Sequence, residues 1–308
     1  MSTPKKSKRP AKANALAALP LRVAVAVVNA SDWLKLPRHA VEAFLKKLDA
    51  VDIRVGSIAR GPSRDELTLA KLARAAGCSV YCHGWVGVRS RAASGPMMGA
   101  SIADAGSGAV QGVQAATCAA QLGAMLFSVN AERDVWRGPV IDGKKTANPD
   151  AVDYLTAFVD GFARAQPTIG VGYVGLAVPA WHYGSTDQDG DGDIDSAIPA
   201  ELRARFDQLG VMAYQSTLPA LESGLARADG LWPEHAKKGD LMPWVGVGRI
   251  DEGNKPVGNA EASIAIARAR RSVCFYVGFG AIGQVFAGNG QHRSIASIID
   301  ELKPEACA

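Results

Sequence analysis

The sequence predicts an α/β fold, a (β/α)8 TIM barrel behind a disordered basic N-terminal tail. Three observations predict it. Short apolar runs of the kind that form buried parallel strands recur eight times. A segment with helical spacing follows each one. Several of the runs end abruptly in carboxylates, amides or aromatic residues, and chemistry in such folds sits just past the carboxyl ends of the strands. The composition, 48% hydrophobic and 21% charged, is that of an ordinary globular protein, and 308 residues suffice for one large barrel or two medium domains. A doubly wound open sheet could use the same alternation. No linker interrupts the body, so residues 1–18 are read as tail and 19–304 as one barrel.

The candidate strands are residues 21–29, 52–59, 79–85, 124–130, 171–179, 210–214, 242–248 and 273–278. The first is followed by a helical pattern over 38–48, with Ala40, Phe44, Leu45 and Leu48 on one face. The second leads into 63–76, which opens on Ser63-x-x-Glu66, a capping box whose side chains satisfy the exposed amides of a helix start. Segments 107–122, 151–165, 199–208, 218–228, 260–271 and 294–302 supply the other six helices. Asn148-Pro149-Asp150 and Pro199 mark helix starts. The loops after strands three, four and five are long. The run 92–113, rich in Gly, Ala and Ser, reads either as a lid or as a small-residue helix that packs closely.

Charge and cysteine narrow the function classes. Lys5, Lys6, Lys8, Arg9 and Lys12 lie in a leader without acids; removing those five charges from a formal +4 leaves the rest near −1. The body is therefore no basic nucleic-acid binder, and the tail is either a solvated leader or a tether to an anionic partner. Five cysteines (Cys78, Cys82, Cys118, Cys274, Cys307), odd in number and without a CxxC pair, point to free thiols in a reducing compartment. Pro20 and Arg22 interrupt the first apolar stretch, which fits a signal peptide poorly, and no run reaches the ~18 residues of a membrane span. The expectation is synthesis in the cytoplasm, with any exit by lysis or on a particle.

On a barrel, the residues past each strand converge on one face. Strand one delivers Asn29, Asp32 and Trp33; strand three, His83 and Trp85; strand four, Asn130, Glu132 and Asp134, with Trp136 behind. Strand five delivers Trp181, His182 and Tyr183; strand six, Tyr214 and Gln215; strand seven, Arg249, Asp251 and Glu252. Trp33, Trp85, Trp136 and Trp181 thus crowd one rim, where exposed indoles invite a cover. Sugars suit such a rim, stacking C–H faces on indole while their hydroxyls meet carboxylates and amides. Glycoside hydrolysis needs two carboxyl groups about the scissile bond, a proton donor and a nucleophile or water-activating base. Glu132 is the expected donor, because apolar walls hold a carboxyl protonated near neutrality. Asp251, Glu252, Asp134 and Asp32 are the candidate partners. The bland alternatives are an ion pair of Glu132 with Arg133 or Arg249, a helix cap for Asp32, and a solvated loop for Asp251 and Glu252.

The segment Phe127-Ser-Val-Asn130-Ala-Glu132-Arg-Asp134 resembles the strand-four motif of sugar-cleaving TIM barrels. There an Asn–Glu pair, or the Asp-x-Glu of chitinase-like and family 25 lysozyme-like enzymes, carries the proton donor. Val211-Met-Ala-Tyr214-Gln215 is similar to the Met-x-Tyr-Asp of chitinase-like enzymes, whose Tyr steadies the reacting sugar. The resemblance implies a polysaccharide substrate such as cell-wall peptidoglycan, Glu132 as acid, Tyr214 at the reacting sugar, and Asn130, Trp85, Trp181, His182, Gln215 and Asp32 as its binding groups. The chain departs from these motifs: Asn130 replaces an Asp, Gln215 replaces an Asp, and one residue separates Asn130 from Glu132. A barrel that keeps a glycan cleft without catalysis, or serves a larger phage-like assembly, is the competing expectation.

A second motif is Asp187-Gln-Asp189-Gly-Asp191-Gly192-Asp193-Ile-Asp195, which resembles EF-hand and dockerin calcium loops. Asp187, Asp189 and Asp191 take positions one, three and five, Gly192 the sharp turn, Asp193 the carbonyl at seven and Asp195 the water-mediated position nine. Hard oxygen donors at alternate positions suit Ca²⁺, although Ile198 stands where a bidentate Glu is usual. Two readings compete more weakly. The Gly-rich segment 278–294 could hold phosphate at a helix start, and His83 with His182 could ligate a metal, though without ligand spacing.

Overall fold

The computed structural model describes residues 21–85, 105–130, 137–141, 144–147, 149–166, 168–175, 185–186, 195–196, 199–250, 256–277 and 293–304. Eight parallel strands form a closed ring: β1 (Arg22–Val27), β2 (Ala50–Arg54), β3 (Ser79–Trp85), β4 (Leu126–Asn130), β5 (Gly170–Gly175), β6 (Gln208–Ala213), β7 (Leu241–Ile250) and β8 (Ser272–Tyr276). The order runs β6-β5-β4-β3-β2-β1-β8-β7, and pairing of Leu209–Ala213 with Leu241–Val245 closes it. The (β/α)8 barrel predicted from the sequence is the observed fold, and the open-sheet alternative is excluded by that closure. Among the described residues, no helix is long and apolar enough to cross a membrane.

Each strand alternates between two cores. Outward side chains such as Val23, Val25, Val51, Ile53, Phe127, Val211 and Phe275 pack beneath the helices. Inward ones build a separate small cluster of Ala24, Ala26, Ala50, Met212, Met242, Trp244 and Cys274, flanked by Tyr81, Tyr214 and Tyr276. The period of two in a strand produces this partition. Among the described inward-facing residues small and sulfur-containing side chains predominate, and Leu126 on β4 adds a buried branched aliphatic beside Gly172.

The helices are α1 (Ala30–Leu34), α2 (Arg38–Leu45), α3 (Arg64–Ala75), α4 (Ala105–Leu122), α5 (Pro149–Ala165), α6 (Ala200–Arg203), α7 (Leu218–Leu231), α8 (Pro233–Lys238), α9 (Ala260–Arg270) and α10 (Ile295–Leu302). The capping box at α3 is present: Ser63 Oγ accepts from Glu66 N at 3.2 Å, and the Glu66 carboxylate accepts from Ser63 N at 2.7 Å. That carboxylate also accepts from Gly56 N at 3.0 Å, which ties the loop after β2 to the helix. The small residues of α4 serve close packing. A Cβ on Gly112 would lie 2.1 Å from the Phe158 carbonyl of α5, and one on Gly161 would lie 2.2 Å from the Ala109 carbonyl. The described part of run 92–113 is therefore packed helix rather than lid.

Several elements differ from the sequence reading. Strand β2 starts earlier and ends at Arg54, and 58–60 form a short 3-10 turn capped by the Ser57 side chain. A buried Asp52 in mid-strand breaks the apolar run that the reading relied on. Helix α6 stops at Arg203 rather than 208, because Asp207 bonds β5 instead: Val171 N donates to its carboxylate at 2.9 Å, and Asp207 N donates to Val171 O at 2.8 Å. An additional short helix, α1, buries Trp33 at 1% exposure against Phe44, with ring centroids 5.6 Å apart. Trp33 is thus part of the helix-side core and not a rim platform; its position in an amphipathic turn outweighed its nearness to the end of β1.

Candidate functional site

The polar residues at the C-terminal end of the barrel come from alternate positions on successive strands. Asp52 on β2 lies between the outward-facing Val51 and Ile53, and His83 on β3 between outward-facing Cys82 and Gly84, so both project inward. They meet there: Asp52 Oδ1 and His83 Nδ1 are 2.7 Å apart, with side chains 4% and 6% exposed. An ionised carboxylate has only acceptors, so Nδ1 donates and Asp52 fixes the ring. His83 also meets the indole of Trp244 edge-on, at 5.3 Å between centroids and 85° between planes. At the level of His83 on the neighbouring strands lie Arg54 and Ser128, and Gly172 follows beside Ser128. A Cβ on Gly172 would stand 2.9 Å from Ser128 Oγ, so glycine keeps this level open on β5.

The charge of Asp52 is felt by its neighbours. Burial pushes the Cys274 thiol well above its ordinary range, and Asp52 adds to the effect. Burial likewise raises the Tyr81 phenol, with Arg22 opposing and Asp52 reinforcing. Both groups therefore stay neutral near pH 7.

The sequence-predicted residues fall into two sets. Asn130 is the last residue of β4 and is buried, opposite Trp85 on β3 and Val174 on β5. Tyr214 follows β6; its ring lies 5.1 Å from that of Tyr276 at the end of β8, tilted by 33°. Gln215 is half-buried beside it, and its Oε1 accepts no hydrogen bond from the described residues. The Tyr214 carbonyl accepts from Gly258 N at 3.2 Å. Gly258 itself, at φ 72°, packs where a Cβ would strike the Gly246 carbonyl at 2.6 Å. This pins the antiparallel hairpin of Arg249–Ile250 with Pro256–Val257, and Asp251 and Glu252 lie in its connection, outside the described residues. Asp32 sits in the first turn of α1, where its carboxylate accepts from Asn29 Nδ2 at 2.9 Å and Lys35 Nζ at 2.7 Å. Asn29 is the cap of that helix, accepting from Ser31 N.

Beside it a polar cleft of about 350 Å³ opens between the loops after β1 and β2, lined by Asn29, Ser31, Arg54, Gly56, Asp65 and Glu66. Glu132, Asp134, Trp136, Trp181 and His182 lie outside the described residues, as do Asp187, Asp189, Asp191 and Asp193; of Trp85 and Asp195 only the strand backbone is described. The ends of the acidic loop are joined, since Ser185–Thr186 pairs antiparallel with Asp195–Ser196. Among the described residues no cluster of three metal-ligating side chains occurs. Sequence reasoning named His83 but missed Asp52, Trp244 and Tyr276. The one available signal was a carboxylate flanked by Val51 and Ile53 at the centre of a five-residue strand.

No family model matches this sequence, and no curated protein matches it. Solved structures do share the fold. The PgaB (BpsB) glycoside hydrolase domain from Bordetella bronchiseptica superposes with a TM-score of 0.56 at 12% identity, covering 86% of this chain and 96% of that one. Active domain 2 of a thermostable chitinase from Pyrococcus furiosus gives 0.52 at 11% identity, over 84% and 83%. A sugar phosphate isomerase/epimerase from Parabacteroides distasonis gives 0.50 at 11% identity, over 95% and 98%. The chain spans 59% of the length of the spore cortex-lytic enzyme SleL of Bacillus cereus, which it also matches. At these identities the likeness establishes the TIM barrel, a fold shared here by glycoside hydrolases and by sugar isomerase/epimerases.

Proposed function

We propose that this barrel is a glycoside hydrolase acting on a polysaccharide, cell-wall peptidoglycan being the first candidate, with Glu132 as general acid. The observation that carries the reading is the end of β4: Asn130 is polar, buried and last in its strand, and Glu132 follows it by two residues in the sequence. The aromatic pair Tyr214–Tyr276 at the same end offers ring faces to a sugar. Asp251 or Glu252, in the connection of the β7 hairpin, supplies the second carboxyl. A separation from Glu132 of about 5 Å accords with retention of configuration and ~6.5–9.5 Å with inversion. Tyr214, Asn130, Gln215 and His182 orient the sugar, and Trp85 and Trp181 give it platforms. The loop 187–195 binds Ca²⁺ and stiffens the segment that carries Trp181 and His182; its closure by the 185–186/195–196 pairing supports that role. The basic tail tethers the protein to an anionic partner.

The test is release of reducing ends from purified cell walls and from chitin, comparing the wild type with Glu132→Gln. The expected result is hydrolysis by the wild type and a loss of at least about 100-fold in the variant, the usual worth of a general acid. Equal rates would remove Glu132 from the mechanism. Binding of wall polymer without cleavage by either protein would make the barrel a glycan-binding module.

A further inference from the structure

The Asp52–His83 pair has no part in the hydrolysis scheme and is costly to keep. Moving a carboxylate and an imidazole out of water carries a desolvation penalty that the hydrogen bond between them must offset. Small residues and one indole flank it. Ala26 lies beside Asp52 on β1, Gly172 beside Ser128 leaves space on β5, and Trp244 comes from the far wall to contact the imidazole. Nδ1 is committed to Asp52, and no described residue hydrogen-bonds Nε2.

We propose that this pair is a saccharide-binding dyad, in which His83 Nε2 hydrogen-bonds a hydroxyl of a sugar at the C-terminal mouth of the barrel and Asp52 is the positioning residue that fixes the ring. A hydroxyl is the group that matches this nitrogen, because it both donates and accepts. The neutral ring offers Nε2 as an acceptor and the protonated ring offers it as a donor; in both states Asp52 holds Nδ1. The surrounding indole and phenols suit the C–H faces of the same ligand. The inference rests on the saccharide reading of the barrel mouth but not on hydrolysis or on Glu132.

The experiment is a two-bond ¹H–¹⁵N spectrum of the histidine rings in the ¹⁵N-labelled full-length chain, with His83 assigned by loss of its signals in His83→Gln. Chitotriose and cellotriose are the probes. The expected result is a shift of the His83 Nε2 resonance that follows the binding isotherm. Asp52→Asn, which turns an acceptor into a possible donor, is expected to change the tautomer pattern of His83 and weaken binding about tenfold, the worth of one well-oriented hydrogen bond. A His83 spectrum unmoved by both saccharides overturns the proposal, even if Glu132→Gln abolishes hydrolysis. A tautomer pattern and affinity unchanged in Asp52→Asn remove Asp52 from the positioning role. A shifted His83 in a protein that cleaves no polymer sustains the dyad and sinks the hydrolase reading instead, so the two fail separately.

Discussion

The imidazole of His83 and the indole of Trp244 touch across the full width of the barrel. Their strands, β3 and β7, stand four apart in a ring of eight, yet the ring centroids are 5.3 Å apart and the planes nearly perpendicular. An eight-stranded barrel is just wide enough for opposing side chains to meet, and edge-to-face geometry is the favoured aromatic contact at this distance. Through Nδ1 the same imidazole holds Asp52 at 2.7 Å. One side chain thus joins a buried charge to the far wall.

Breaking that pair is expected to be far more harmful than removing it whole. Asp52→Leu leaves His83 without its acceptor and should cost about 3–5 kcal/mol. The double change Asp52→Leu with His83→Leu replaces both polar groups and should cost clearly less than the two single changes added together. Urea unfolding of the four proteins measures the coupling; additive costs would show that the two side chains do not depend on each other.

Two glycines in helices are expected to respond with opposite signs. Gly112→Ala forces a methyl against the Phe158 carbonyl of the adjoining helix, where only backbone could yield, and should destabilise by about 1–3 kcal/mol or more. Gly230→Ala, in the last turns of α7 with nothing within 4 Å of the new atom, should stabilise by roughly 0.5–1 kcal/mol. Melting temperatures of the two variants check both signs against the wild type.

The described thiols are expected to resist alkylation. Burial pushes Cys78 up to about 12 and Cys118 to about 11, and it holds Cys82 and Cys274 well above the usual thiol range, with the charge of Asp52 adding to both. The thiolate is the reactive form, so raising the pH to 9 should leave these four unlabelled in the native protein. Peptide mapping after iodoacetamide, with and without denaturant, reads this directly. Native labelling of Cys274 at pH 8 would contradict the buried interior.

Calcium is expected to raise the melting temperature and a chelator to lower it. A hundredfold excess over Kd contributes about 2.7 kcal/mol to the folded state, which for a chain of this size is a shift of several degrees. Asp189→Asn combined with Asp191→Asn should abolish the response without altering the melting point in chelator. Identical curves for the wild type with and without Ca²⁺ would exclude a bound ion in the Asp187–Asp195 loop.

Much of the architecture was legible because it is written in local periods. Alternation in residues 79–85 and 126–130, helical spacing in 38–45 and 260–270, and Ser63 three residues before Glu66 each mark an element from its own neighbours. The ends of strands were legible for the same reason, and Asn130 and Tyr214 stand where an apolar run stops. Asp52 was missed because the sequence reading began its strand at that residue, which hid its place in mid-strand, and Trp33 was misplaced because its exposure depends on a helix that folds back over it.

By itself the sequence determined eight strand–helix units, their order and the chemistry of each strand end, since side-chain periodicity and helix capping are properties of neighbouring residues. Only the tertiary structure decided that the ring closes between β6 and β7, that Asp52 finds His83, and that Trp244 reaches them from the opposite wall. Those contacts join residues far apart along the chain. Their distances are set by strand register and by the width of the closed barrel, which no local pattern encodes.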